Sequence, residues 1–152
     1  MNQIGIDRVG RKQRFTLSIS NAQELPTELQ APSPYFACLL AWNACGVSAV
    51  EIGTLAEKLL QAGCAYICCW GPDSERVHDI FDEVDCHRKP DGPWCMSTWH
   101  SNNPLAEAIC FSLFSALPDE AFRDGCRSVI AVSISSNEWD NEIRTAFADA
   151  CA

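Results

Sequence analysis

The chain of 152 residues is short of positive charge, of long apolar runs and of glycine-rich loops, and each shortage removes a class of function. Eleven Lys and Arg stand against 20 Asp and Glu, a net charge of −9. Phosphate contacts need clustered basic side chains, so neither nucleic acid nor an anionic membrane surface is an expected partner. The one basic cluster, Arg8, Arg11, Lys12 and Arg14, falls within residues 1–14, read as a flexible N-terminal segment ahead of a single α/β domain over 15–152. The most apolar stretch, Tyr35 to Val50, is interrupted by Asn43, Gly46 and Ser48. It falls short of the roughly 20 residues a membrane helix needs. The opening residues lack a charged region followed by an apolar stretch, so no secretory signal is expected. The eight glycines form neither G-x-G-x-x-G nor G-x-x-x-x-G-K-[ST], which speaks against a phosphate-cradling loop.

Hydrophobic residues make up 47% of the chain and cysteine is abundant, at ten. Cys38, Cys64, Cys68 and Cys69 lie in or beside candidate strands, and Cys110 lies in an apolar helix. Thiols so placed read as small buried hydrophobes of a reduced, cytoplasmic protein rather than as a secreted disulfide scaffold.

Periodicity supplies the architecture. Phe15 to Ser20 alternates as a half-buried strand, and Pro26, Pro32 and Pro34 mark a connector. A βα unit then repeats. Tyr35–Ala41 is a nearly continuous apolar strand, and Ser48 with Glu51 forms a capping box. Ile52, Leu55, Ala56, Leu59 and Leu60 recur at helical spacing until Gly63. The second strand is Cys64–Cys69, with Asp73 as cap of a helix carrying Val77, Ile80, Phe81 and Val84. The third strand is set at Trp94–Thr98, followed by a helix capped by Asn103 with Pro104 in its first position. That helix is apolar almost all round from Ile109 to Phe114, as a helix covered by a second copy would be. Val129–Ile134 is the fourth strand, and the last helix presents Trp139, Ile143, Ala146, Phe147 and Ala150 on one face.

Alternating strands and helices imply a mostly parallel sheet in a three-layer α/β fold. The layout resembles the flavodoxin-like and Rossmann-like group, with expected order 2-1-3-4 and residues 15–20 as an added N-terminal edge strand. Receiver and flavin variants of that layout fit poorly. The first strand ends Trp42-Asn43 rather than in an acidic cluster, no Lys follows Lys89, and no Ser/Thr-rich phosphate loop accompanies the tryptophans.

The strands end alike: Ala41-Trp42-Asn43, Cys69-Trp70-Gly71-Pro72-Asp73, Thr98-Trp99-His100 and Ile134-Ser135-Ser136-Asn137. In a parallel sheet these gather at the carboxyl edge, where open α/β sheets hold ligands. The expected site is an aromatic small-molecule pocket with Trp42, Trp70 and Trp99 as walls. Its polar members are Asn43, Asp73, Asn102, Ser135 and Asn137. Order 2-1-3-4 also brings Cys45, ahead of the first helix, near His100, a thiol–imidazole pair of the kind a small hydrolase or transferase uses. Cys86, His87, Cys95 and His100 lack C-x-x-C spacing, so no metal and no cofactor is expected. His78 is expected on a solvated, acidic helix face. No catalytic motif is complete, and the sequence favours a binding or interaction module, with a homodimer through Ile109–Phe114 as one form of it.

Overall fold

A computed structural model describes residues 1–6 and 12–149. The strands are β1 (Asn2–Ile6), β2 (Gln13–Ile19), β3 (Tyr35–Ala41), β4 (Cys64–Trp70), β5 (Met96–His100) and β6 (Cys126–Ile134). The helices are α1 (Ala49–Gln61), α2 (Ser74–Arg88), α3 (Leu105–Phe114), the short α4 (Glu120–Arg123) and α5 (Asn137–Asp149). Five strands, β2 to β6, form an all-parallel sheet between helical layers, as expected of a three-layer α/β fold. Within the segment expected to be flexible, Asn2–Ile6 forms β1, which adds antiparallel to β2.

The strand order is β1-β2-β6-β3-β4-β5, and this corrects the expected 2-1-3-4. Counted over the expected four strands, it reads 4-1-2-3. The reason lies in α1 and α2, which share one face, with Ile80 and Val84 of α2 beside Gly53 of α1. Two right-handed crossovers on one face must step in one direction. The chain therefore moves from β3 to β4 to β5 and then returns beneath the sheet, through α3, to insert β6 beside β3.

Strand alternation divides the core between two faces. Phe36, Cys38 and Leu40 of β3, and Trp42 just beyond it, pack under α1 and α2 with Leu55, Phe81 and Ile130. Ala37, Leu39 and Ala41 face α3 and α5, with Ile109, Ile143 and Phe147. Ser48 caps α1 as expected, since the Glu51 N–H donates to Ser48 Oγ at 3.1 Å. Gly63 closes α1 at φ +104°, where a methyl group would strike the Pro34 carbonyl.

Two expected caps are corrected. Asp73 precedes α2 in the left-handed region, and its carboxylate accepts from Arg76 Nε at 2.6 Å instead of capping. Asn103 stands one residue outside α3, whose cap position is Pro104, and its side-chain amide donates to Glu107 at 2.7 Å. The third strand starts two residues later than expected. Trp94 and Cys95 are held by α2 instead: Trp94 Nε1 donates to the Lys89 carbonyl at 2.8 Å and the Cys95 N–H to Asp85 at 2.6 Å. In α5 Ile143 and Phe147 are buried as expected, whereas Ala150 lies outside the described residues. Among the described residues, no helix is long and apolar enough to cross a membrane.

Candidate functional site

In a parallel sheet the ligand crevice forms where neighbouring strands send their connections to opposite faces. Here the chain after β2 packs on the α1 face through Ala22 and Leu25, and β3 leaves towards α1 on that same face, whereas β6 leaves towards α5 on the other. The crevice is therefore beside β6, not between the first and third expected strands. It is a polar cleft of about 350 Å³ lined by Ser18, Ser20, Ser135, Ser136 and Asn137. Much of its hydrogen-bonding capacity is already used. Ser135, at φ 61°, donates its N–H to the Ile19 carbonyl at 2.9 Å and its hydroxyl to the Ser20 carbonyl. Ser136 Oγ accepts from the Trp139 N–H at 3.2 Å, capping α5. Asn137 opens α5 at the mouth of the cleft.

The three strand-end tryptophans do not enclose one pocket. Trp42 is buried beneath α1 and α2. Trp70 points to the opposite face, where it meets Trp139 edge-on at 5.0 Å and donates Nε1–H to the Asn103 carbonyl at 2.8 Å. Trp99 is 44% exposed and lies against His78 at 4.6 Å on the α2 side. Alternation along the strands and the position of β4 between β3 and β5 keep the rings apart.

Cys45 and His100 are separated for the same reason. Cys45 is exposed, and its N–H donates to Asn43 Oδ1 at 3.1 Å. Its loop is fastened to α2, since one Arg76 nitrogen donates to the Ala44 carbonyl at 2.9 Å and the Val47 carbonyl at 2.8 Å. His100 points to the other face, 5.0 Å from Phe111 of α3, with Nε2 3.1 Å from Thr98 Oγ1. Burial lowers its pKa, opposed by the nearby Glu107. The expected thiol–imidazole pair is not assembled. Asn102 is exposed in the turn after β5.

The thiols are mostly interior. Burial pushes Cys68 up to about 12 and raises Cys64 and Cys69 as well. Cys95, whose sulfur lies 4.0 Å from that of Cys64, is raised first by that contact and then by burial. Among the described residues, no group of three or more His, Cys, Asp or Glu is placed to hold a metal ion.

The more pronounced surface feature lies at the β5 edge, away from the crevice. Trp94, Met96, Trp99, Phe114 and Leu117 are five of the seven exposed large hydrophobics among the described residues. All five fall in residues 92–118, which contain a single charged residue, Glu107, in a chain that is 20% charged. β5 is an edge strand, bonded on one side only to β4. On its α2 side Ser97 donates to Asp82 at 2.5 Å, and His78, expected on a solvated face, stacks on Trp99 while contacting Asp79 and Asp82. On the other side Phe111 of α3 stacks on Tyr66 and His100, and Phe114, one turn on, continues that flank. The signal was present in the sequence as a charge gap, but only the strand order makes it an edge. A separate groove of about 450 Å³ runs between α1 and α2 past Val50, Gly53, Ile80 and Val84.

Compared with known proteins, residues 15–150 match one family model, described as Domain of unknown function (DUF7684). No curated protein and no solved structure matches the chain.

Proposed function

The chain belongs to the DUF7684 family, and from its surface we propose a non-catalytic protein-interaction module that docks through the β5 edge and the adjoining flank of α3. The observation that carries this reading is the segment 92–118, with Glu107 as its single charge and five exposed large hydrophobics, three of them (Trp94, Met96 and Trp99) in or beside the edge strand β5 and two (Phe114 and Leu117) at the end of α3. Contiguous exposed apolar surface beyond scattered single residues marks interaction sites. Open edges are normally blunted by charge, proline or a covering element, and Met96–His100 carries no Asp, Glu, Lys or Arg. The free, buried thiols support a reducing, cytoplasmic setting for that module.

A photo-crosslinking residue placed at position 96 or 114 is expected to capture a protein in cells, while the same residue at exposed position 50 on α1 is not. Equal capture from all three positions, or none from 96 and 114, would remove the interaction surface.

A second reading, a small polar ligand in the cleft at Ser18, Ser20, Ser135 and Asn137, is favoured by the reversal of crossovers there. Ser135, held at positive φ, supports it, because such conformations concentrate at functional sites. The prior use of the Ser135 and Ser136 hydroxyls leaves recognition to Ser18, Ser20 and Asn137. Isothermal titration with small polyols and amino acids tests it, and heats unchanged by combined Ser18→Ala, Ser20→Ala and Asn137→Ala would overturn it.

A further inference from the structure

We infer that the occupant of the β5 edge is a basic, extended segment of another protein, added as a strand beyond β5 with Lys or Arg at alternate positions towards α2. This rests on the reading of β5 as part of the interaction surface and names the chemistry of the partner. Alternation sorts the side chains of β5 between the two helical layers. Ser97 and Trp99 lie on the α2 side, where Ser97 donates to Asp82 at 2.5 Å and Trp99 lies 4.6 Å from His78. Thr98 and His100 lie on the α3 side, with His100 5.0 Å from Phe111, and Met96 shares that side by alternation. A strand added about 4.8 Å beyond β5 repeats the same division. Every second side chain of the partner therefore enters the α2 side, beside Ser97 and Trp99.

That side is acidic and short of cations. α2 carries Glu75, Asp79, Asp82, Glu83 and Asp85 against Arg76 and Arg88. Arg76 is turned to Asp73 and to the Ala44 and Val47 carbonyls, and Arg88 lies 3.9 Å from Asp85. Among the described residues, Asp79 and Asp82 meet no Lys or Arg and contact only the His78 imidazole as a basic group, with their side chains 67% and 48% exposed. Asp82 reaches down to Ser97, so its carboxylate stands level with the side chains of the sheet. The stem of a Lys or Arg on a neighbouring strand spans that strand spacing. Trp99, half-exposed beside it, offers an indole face on which the cation can rest. On the other side Met96, Thr98 and His100 suit apolar or β-branched residues, since no Asp, Glu, Lys or Arg of β5 stands there. Main-chain bonds then supply affinity whatever the sequence, and the alternating cations select the partner. The same acids disfavour a second copy, because pairing two β5 edges sets the Asp79 and Asp82 of one α2 towards those of the other.

Fluorescence anisotropy with the purified full chain tests the inference, using a labelled peptide that alternates Lys with Val and a matched peptide that alternates Glu with Val. The Lys peptide is expected to bind, more weakly as salt rises, and the Glu peptide is not. Asp79→Asn combined with Asp82→Asn removes both charges and keeps the side-chain oxygen that Ser97 uses. That pair should weaken binding about tenfold, whereas Glu57→Gln on α1 should leave it unchanged. Methylating the peptide's backbone nitrogens removes the ladder donors, keeps every charge, and should abolish binding. Circular dichroism of each variant confirms the fold. A Lys peptide that does not bind, that binds no better than the Glu peptide, or that is untouched by the double substitution or by methylation would overturn the inference. A wild type that sediments as a dimer broken by Thr98→Lys would put a second copy on the edge and overturn it too. If the Lys peptide fails while position 96 still crosslinks another protein, this inference falls alone, whereas failure of both removes the interaction surface as well.

Discussion

Asp85 is a carboxylate only 5% exposed, and what it holds explains why it is tolerated there. It accepts the Cys95 N–H at 2.6 Å and lies 3.9 Å from Arg88, tying the last turns of α2 to the chain entering β5. Asp85→Ala leaves that N–H without its partner, which costs about 1–3 kcal/mol. A urea unfolding midpoint lowered accordingly, with the slope unchanged, is the expected result. An unaltered midpoint would mean that the contact does not support β5. In the sequence Asp85 is one acid among many on an acidic helix, indistinguishable from Asp79. The distinction depends on which side of α2 meets β5, and that is a property of strand order. The same dependence misplaced His78, whose side chain is 12% exposed against Trp99 rather than solvated.

Among elements, the loop between β3 and α1 owes its place to Arg76. Its guanidinium joins the Ala44 and Val47 carbonyls to the Asp73 carboxylate, and the Ala44 N–H donates to the Pro72 carbonyl at 3.1 Å. Arg76 is about one-third exposed, so Arg76→Ala is expected to cost only about 1 kcal/mol. Its clearer effect is local: amide exchange over residues 43–48 should accelerate while that of β3 does not. Uniform acceleration would assign Arg76 a global role instead. Gly71, at φ +117° against the Trp42 carbonyl, closes the same corner, and Gly71→Ala there should destabilise more than Arg76→Ala does. Most elements were legible in the sequence because their signals are local: the Ser48–Glu51 box, the period of α1, the apolar runs of β3, β4 and β6. Asp73 and Asn103 were misread as caps because each side chain has a charged neighbour three or four residues on that binds it more strongly than a backbone N–H. β5 was set two residues early because tertiary contacts from Asp85 and Lys89 claim Trp94 and Cys95.

At the scale of the molecule, order and electrostatics act together. The α/β class follows from alternation alone, but the order of strands depends on which face each crossover takes, and no periodicity encodes that choice. The expected aromatic pocket and the Cys45–His100 pair both rested on the order, and both separate because β4 lies between β3 and β5. Burial sets the pH response of the whole domain. The Cys68 thiol, ordinarily near 9, is pushed up to about 12 by burial, so between those values the unfolded chain has released a proton that the native chain retains. Stability is therefore complete below about pH 9 and declines as pH rises towards 12, with Cys64, Cys69 and Tyr66 acting in the same direction. Denaturant midpoints across that window should fall steadily, and a flat profile would contradict the interior placement of these groups. At the acid end, His100 is held below its usual value of 6.5 by burial, so its contribution is present above 6.5 and is lost as pH falls through its native pKa.

The distribution of cysteines makes the domain a recorder of its own breathing. Cys38 on β3, Cys64, Cys68 and Cys69 on β4, and Cys126 on β6 are hidden, whereas Cys45, Cys86 and Cys110 are open on a loop, α2 and α3. An alkylating reagent should therefore mark the outer three within its ordinary reaction time and reach each inner sulfur only when its strand opens. Mass spectrometry of partly labelled protein would then read out, strand by strand and without an engineered probe, the free energy at which the centre of the sheet comes apart.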